Sequence, residues 1–339
     1  MDTILCTGGL GYIGSHTLTV LAKTFTTIIV VDNGSNASFS ICDRIRTIIP
    51  PSCTLLCYNV DLRNRSAIDE VFQKHHHINT VVHFAALKSV DQSCTSPLLY
   101  YDNNINGTLN LLHAMRSNGC KNLVFSSSAT VYQPNKTTLT ETSPMGPTNP
   151  YGQTKAMVEQ ILQDVVRSDP AWKIVCLRYF NPVGSHESGL IGDRPNGIPS
   201  NLFPYIQQVM SGSLDRLTVH GDDYDTPDGT CIRDYVHVKD VAEGHVCALQ
   251  YMKHTQRSGT FDVFNLGSGR GHSVSEVISA VQRVTGKAVP FLVGHRRSGD
   301  VASSVADIDK ARRVLQWQPQ FSIDDAIQTS IAAREVEHK

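Results

Sequence analysis

The sequence predicts an α/β protein, a doubly wound parallel sheet with a smaller mixed α/β unit beside it. Two patterns carry this expectation. Short apolar runs alternate with longer stretches of helical periodicity through the first half of the chain, as strands buried on both faces of a parallel sheet and joined by helical crossovers require. A glycine-rich run also stands where the first strand passes into the first helix, the point at which such sheets receive phosphate groups.

Thr3 to Thr7, Thr27 to Val31, Thr54 to Asn59, Thr80 to Phe84, Asn122 to Ser126 and Lys173 to Leu177 read as buried strands. A long helix is expected from Pro97 to Ser117, because Pro suits a first helical turn and Leu98, Tyr101, Ile105, Leu109 and Leu112 share one face. The next helix carries Tyr151. After about residue 180 the pattern loosens into Gly-, Pro- and Asp-rich loops, and Val263 to Leu266 then returns as one more buried strand. The expected organisation is a large-sheet domain over residues 1–180, rejoined by about 235–270, and a smaller domain over 181–234 and 271–339.

The chain has 339 residues, 40% of them hydrophobic, enough for a sizeable core. A net charge of −1 without a polybasic run gives no electrostatic case for nucleic acid or a membrane surface. No apolar run is long enough to span a bilayer, and Met1 and Asp2 lead straight into a strand rather than a signal-peptide pattern. The cytoplasm is the expected compartment. Nine cysteines at scattered spacings show neither a disulfide framework nor paired metal-ligand spacing, and are expected to be reduced thiols. The run His75-His76-His77 is expected to end a surface helix, since adjacent residues diverge in direction and no Cys or carboxylate spacing accompanies them. No metal site is expected.

Gly8-Gly9-Leu10-Gly11-Tyr12-Ile13-Gly14 sits at the strand-to-helix turn. Glycines there allow a tight turn and close backbone approach, while free N–H groups and the helix dipole attract a pyrophosphate. Asp32 closes the second strand, 21 residues after Gly11, where a carboxylate can accept both ribose hydroxyls of an adenosine. It would repel a 2′-phosphate, and Asn33 to Ser40 offers no Arg to receive one, so NAD is favoured over NADP. Asp61 reads equally as an adenine contact or a turn residue. Lys88 reads as a contact to cofactor ribose or pyrophosphate, or as a solvated surface lysine. Asn103, Asn104, Asn106 and Asn110 crowd one helix although Asn is a poor helix former, so some of them are expected to answer to a ligand.

Tyr151 and Lys155, in YGQTK, lie one helical turn apart on the same face. A phenol beside a fixed cation loses its proton more easily, so Tyr151 is a candidate base near neutral pH from a reference pKa of ~10. The spacing alone is close to what chance supplies; its weight comes from the nucleotide pattern upstream. The fifth strand ends in Ser126-Ser127-Ser128-Ala129-Thr130, at the sheet edge where ligands bind, so hydroxyls there can hold a substrate alcohol beside Tyr151. A serine cluster alone is more often a cap or turn.

Together with HFAALKSV from His83, YYDNNINGTLNLL from Tyr100, LRYFNPVG to Gly184 and DGTCIRDYVHVKDVA from Asp228, these motifs resemble the extended short-chain dehydrogenase/reductases, and among them the UDP-galactose/UDP-glucose 4-epimerases. The resemblance runs over nearly the whole chain. It implies a Rossmann fold, a homodimer, and an isomerase in which tightly held NAD oxidises and then reduces C4 of a UDP-sugar. It implies Tyr151 as base, Lys155 as its tuning cation and nicotinamide-ribose contact, and Ser128, with Thr130, on the 4-hydroxyl. The implied cofactor shell is Gly8, Gly11, Tyr12, Ile13, Gly14, Asp32, Asn33, Asp61, Leu62, Phe84, Lys88, Asn103, Tyr151, Lys155 and Tyr179. The implied UDP-sugar contacts are Lys88, Ser128, Thr130, Tyr151, Asn181, Asn201, Arg233, Arg297, Asp300 and Ser304.

Gln133 and Ser200 depart from the family pattern in loops. Ser304 stands where members restricted to UDP-glucose and UDP-galactose carry Tyr, which implies room for an N-acetylated sugar and activity on UDP-GlcNAc and UDP-GalNAc. The rival readings are a nucleotide-sugar dehydratase, an alcohol dehydrogenase with exchangeable cofactor, and a nucleotide-binding sensor. Ala129-Thr130-Val131 lacks the acidic pair a dehydratase needs, and Tyr151 with Lys155 counts against a sensor.

Overall fold

The computed structural model describes residues 3–134, 138–193, 199, 201–297 and 300–335. Its strands are β1 (Thr3–Thr7), β2 (Thr27–Asp32), β3 (Thr54–Asn59), β4 (Ile78–His83), β5 (Asn122–Ser128), β6 (Lys173–Tyr179), β7 (Asn181–Val183), β8 (Leu217–His220), β9 (Ile232–His237), β10 (Thr260–Leu266), β11 (Gly271–Ser273), β12 (Phe291–Gly294) and β13 (Ser303–Ser304). Its α-helices are α1 (Tyr12–Leu21), α2 (Ser40–Ile48), α3 (Arg65–Lys74), α4 (Val90–Thr95), α5 (Pro97–Tyr101), α6 (Gly107–Ser117), α7 (Pro150–Ser168), α8 (Leu202–Met210), α9 (Val238–His254), α10 (Val274–Thr285) and α11 (Ile323–Glu335).

Seven of the strands form one parallel sheet in the order β10-β6-β5-β4-β1-β2-β3. β1 is buried along its whole length, because α1, α2 and α9 cover one face and α3, α6 and α7 the other. Leu18, Ile45, Val241 and Ala248 belong to the apolar cluster of the first face; Phe72, Leu111, Met115, Val158 and Leu162 belong to that of the second. The strand order reverses direction between β1 and β4, and the crevice at their carboxyl ends is the position where such sheets bind ligands.

The helix expected from Pro97 to Ser117 is present, but as α5, a π turn over Asp102–Asn106, and α6. Single π turns tend to mark functional stretches. Here Asn104 turns inward: it accepts from the Leu87 N–H at 2.8 Å and donates to the Leu87 carbonyl and Thr154 Oγ1, both at 3.0 Å. Its place in the helix is therefore set by tertiary partners. Asn106 and Asn110 likewise bond within the protein, to Asp102 and to the Leu62 and Arg63 carbonyls. The expected single apolar stripe also divides: Leu112 is buried, whereas Leu98 is 81% exposed.

After β6 the chain leaves the large sheet. β9 pairs with β7, β11 and β13, β8 pairs with β12, and Val183, Phe203, Leu217, Tyr235, Val277 and Ile327 share a third apolar cluster. The chain then returns through α9 and β10. Residue 235, the expected crossing point, lies inside β9, and the later segment with Ile308, Ala311, Leu315 and Trp317 packs into the cluster on the large sheet.

The expectation of nine reduced thiols is corrected at one pair. Cys42 of α2 and Cys57 of β3 form a disulfide across 15 residues. α2 folds back over the sheet and brings the two sulfurs together, which linear spacing does not reveal. The first of the three histidines follows α3 directly and bonds through Nε2 to the Tyr58 hydroxyl at 2.8 Å. Among the described residues no group of three or more His, Cys, Asp or Glu side chains gathers to hold a metal, and no helix is long and apolar enough to cross a membrane. Ser200 lies outside the described residues.

Asp234 ties these parts together. Its buried carboxylate accepts from Ser268 N at 2.6 Å, Ser268 Oγ at 2.7 Å, Gly269 N at 3.0 Å and Ala306 N at 3.1 Å. It thereby fastens β9 to the turn after β10 and to the segment after β13. Asp234→Ala leaves three backbone donors without acceptors and is expected to lower stability by about 3 kcal/mol, read from the midpoint and slope of urea unfolding.

Candidate active site

A cavity of about 590 Å³ opens over the carboxyl ends of β1, β2 and β4. Its floor is the glycine turn. Gly8 has φ of 66°, and a Cβ on it would lie 2.5 Å from the Ala85 backbone nitrogen, so only glycine lets the turn close against the loop after β4. Gly11 caps α1 without any side chain over its N-terminus, leaving the first N–H groups facing the cavity. Asp32 stands at the end of β2 and accepts from Leu10 N at 3.1 Å and Gly34 N at 3.0 Å; burial pushes its carboxyl above the ordinary range.

Gly8, Gly11, Tyr12, Ile13, Gly14, Asp32, Asn33, Asp61, Leu62, Phe84, Lys88, Asn103, Tyr151, Lys155 and Tyr179 all line this one cavity. Asp61 has the place that either reading requires. It faces the cavity and also binds Arg63 through the backbone N–H at 2.9 Å and the guanidinium at 2.8 and 3.1 Å, and that hydrogen bonding holds its carboxyl down at about 2. Lys88 is 3.8 Å from Asp193 and 5.9 Å from the centre of the Tyr12 ring. Sequence reasoning missed Arg44, which lines the cavity one turn into α2 and donates to the Leu190 carbonyl at 3.2 Å. It also missed Asp193.

A second cavity, about 1520 Å³, adjoins the first and is walled by Lys88, Ser128, Thr130, Asn181, Asn201, Arg233, Arg297 and Asp300. Arg233 is held in place by the protein: it donates to the Ile232 and Val301 carbonyls at 2.9 and 2.8 Å and to Asp300 Oδ1 at 3.0 Å. Ser304 lies beside Arg233 in the β13–β9 pairing and is not part of the cavity wall. Leu217 to His220 of β8, Phe180, Cys231 and Tyr235 also line it, and were not anticipated. The alternation Leu217-Thr218-Val219-His220 was the available signal, a period-two run marking a strand.

Tyr151 lines both cavities. Asn149 caps α7 by accepting from Gly152 N at 2.9 Å, and Pro150 fills the first turn, so the phenol projects from the start of a fixed helix. Toward the second cavity lies Ser128, whose Oγ accepts from Thr130 N at 3.2 Å and Thr130 Oγ1 at 3.0 Å. Toward the first lies Lys155, its Nζ donating to the Ser126 carbonyl at 2.6 Å, 4.8 Å from the centre of the Phe125 ring and 5.9 Å from that of Tyr151.

The electrostatics differ from the expectation that a neighbouring cation would bring Tyr151 toward neutrality. Burial pushes the Tyr151 phenol up to about 12, while its hydrogen bond with Ser128 pulls the other way. Burial also draws Lys155 down to about 7, with the negative charge of Glu159 acting against it. Desolvation disfavours phenolate and ammonium alike, and sequence spacing carries no measure of it.

The chain matches the NAD dependent epimerase/dehydratase family over residues 4–267. It is similar to the UDP-glucose 4-epimerase of Bacillus subtilis (strain 168), with 49% identity over 323 residues, which is 95% of this chain and 94% of that one. The crystal structure of UDP-glucose 4-epimerase from Bifidobacterium longum in complex with NAD+ and UDP has a TM-score of 0.93 at 44% identity and covers 99% of both chains. UDP-glucose-4-epimerase from Stenotrophomonas maltophila, with bound NAD and formylated UDP-arabinopyranose, has a TM-score of 0.95 at 43% identity and covers 100% of this chain and 99% of its own. Agreement of this extent spans nearly the whole chain, and the chain belongs to the NAD dependent epimerase/dehydratase family, among its UDP-glucose 4-epimerases.

Proposed function

We propose that this enzyme interconverts UDP-galactose and UDP-glucose in galactose and nucleotide-sugar metabolism, passing through a 4-keto sugar with NAD retained in the first cavity. The observation that carries the reading is the position of Tyr151: one phenol borders both a cavity suited to a dinucleotide and a larger one walled by two arginines. The first cavity fits NAD, since it joins a side-chain-free turn at a helix start to the Asp32 carboxylate. Arg233 and Arg297 suit the diphosphate of a UDP-sugar.

Bound NAD+ would supply a hydride acceptor for C4 and a fixed positive charge, and the hydride would return to the other face of the sugar with no net redox. The remaining work belongs to the chain. Ser128 and Thr130 orient the 4-hydroxyl, Tyr151 takes its proton and later gives it back, and Lys155 supplies positive charge beside the phenol. Raised by burial, the phenol needs that charge to act as a base.

Purified protein given UDP-galactose without added cofactor is expected to form UDP-glucose without accumulating NADH. Stoichiometric NADH would identify a dehydrogenase, a dehydrated sugar would identify a dehydratase, and no conversion by folded, NAD-replete protein would refute the reading. Tyr151→Phe is expected to lower kcat at least about 100-fold, with the NAD content of the purified protein unchanged.

Activity on UDP-GlcNAc and UDP-GalNAc is proposed as well: Ser304 is off the cavity wall itself, contrary to the expected sugar contact, but pairs with Arg233 of that wall, and a Tyr in its place would be long enough to reach the space beside Arg233 that Ser leaves free. Ser304→Tyr is expected to abolish turnover of UDP-GlcNAc and spare UDP-galactose, as separation of the products would show; wild-type protein inactive on UDP-GlcNAc would refute it. Exposed Leu98, Leu109 and Met157 on α5, α6 and α7 support a homodimer through these helices. The cytoplasm is the compartment that suits this metabolism.

A further inference from the structure

The proposed reaction uses Tyr151, Lys155 and Ser128 and leaves a buried charge network beneath them without a role. Glu159 lies one turn beyond Lys155 on α7. Its Oε1 accepts from Ser127 Oγ at 2.5 Å and from Arg178 Nε at 3.0 Å, and its Oε2 accepts from Arg178 Nη2 at 2.6 Å. The two side chains are 5% and 3% exposed. Stability alone does not account for such a pair, because apolar replacement of a buried ion pair is often neutral or favourable.

The count of charges gives it a purpose. Lys155 and Arg178 bring two cations into one dry region, and Glu159 brings one anion. A guanidinium keeps its proton under all ordinary conditions, whereas a desolvated ammonium gives its proton up. With the carboxylate removed, Lys155 is the group that yields.

We propose that Glu159 is a positioning residue that neutralises Arg178 and so keeps the positive charge on Lys155 beneath the Tyr151 phenol. On the far side of Arg178, the Glu141 carbonyl accepts from Nη1 at 3.2 Å while its carboxylate accepts from Asn265 N at 2.9 Å, and the guanidinium lies 4.7 Å from the centre of the Tyr132 ring, whose phenol is raised by burial. The groups facing Lys155 itself bring no further anion. From β4, His83 is drawn down to about 3 by burial and is neutral. From β6, burial pushes Cys176 and Tyr179 up, so both keep their protons. Tyr100 of α5 faces Tyr151 and is also raised by burial. β5 contributes the Phe125 ring and the Ser126 carbonyl. The catalytic consequence rests on the reaction proposed above; the charge assignment does not.

The test follows the Lys155 ε-carbon resonance against pH in protein labelled with 13C-lysine, assigned by its loss in Lys155→Met. Glu159→Gln is expected to bring the midpoint down by about one pH unit, a tenfold change in the ratio of protonated to neutral lysine. It is also expected to cut kcat at neutral pH by about fivefold, as the protonated fraction falls, with KM within about twofold. Arg178→Met frees the carboxylate to act on Lys155 alone, and the midpoint is expected to rise. A purely structural pair would not move the two midpoints in opposite directions, so shifts of the same sign, or none, overturn the proposal. Thermal melting checks folding, and if one variant does not fold the sign of the other decides. If wild-type protein lacks epimerase activity the proposed reaction fails, while the Lys155 titration still decides the role of Glu159.

Discussion

The placement of β1 between β2 and β4 is the constraint on which both cavities depend. Gly8 N donates to the Val31 carbonyl at 2.7 Å, and Phe84 N and Ala85 N donate to the Thr7 carbonyl at 2.9 and 3.1 Å. These bonds continue the two parallel ladders one residue beyond the strands. They bring the glycine turn, the Asp32 carboxylate and the Phe84 loop to one edge, where the strand order reverses. A slip of one residue would turn Asp32 to the other face of the sheet. The close approach of Gly8 to Ala85 excludes any larger residue at the turn.

From that edge the remaining parts are placed by long-range ties. α7 is capped by Asn149, packs on the second face of the sheet, and carries Tyr151, Lys155 and Glu159 at successive turns. β5 ends in three serines that take different partners: the Ser126 carbonyl receives Lys155, Ser127 bonds to Glu159, and Ser128 faces the larger cavity. One strand and one helix thus set the spacing of the Tyr151 phenol, the Lys155 ammonium and the Ser128 hydroxyl. The second cavity needs more of the chain, because its wall combines the end of β5, the segment after β6, β8, β9 and the stretch before β13. Arg233 fastens the last two through the Val301 carbonyl and Asp300.

The grouping of residues around the first cavity was legible in the sequence because its signals are local. A glycine turn between a strand and a helix, an acidic residue at the end of the next strand, and a Tyr and Lys one turn apart each occupy a few residues. The grouping around the second cavity came through resemblance, and β8, with His220, went unnoticed. Asn104 drew attention as a poor helix former, yet its side chain answers to Leu87 and Thr154 rather than to the cavity. Asn103 does line both cavities. Composition could flag the anomaly but not its cause.

By itself, then, the sequence determined the alternation of strands and helices in the large sheet, the glycine turn, the Asp32 position and the facing of Tyr151 with Lys155, since hydrophobic period and residue chemistry act over one or two turns. Only the tertiary structure decided which distant groups meet. It joined Cys42 to Cys57, paired Glu159 with Arg178, placed Arg44 and Asp193 at the first cavity, and left Ser304 off the wall of the other. It also decided the proton affinities of Tyr151 and Lys155, because desolvation depends on everything packed around a group, and no spacing along the chain records that.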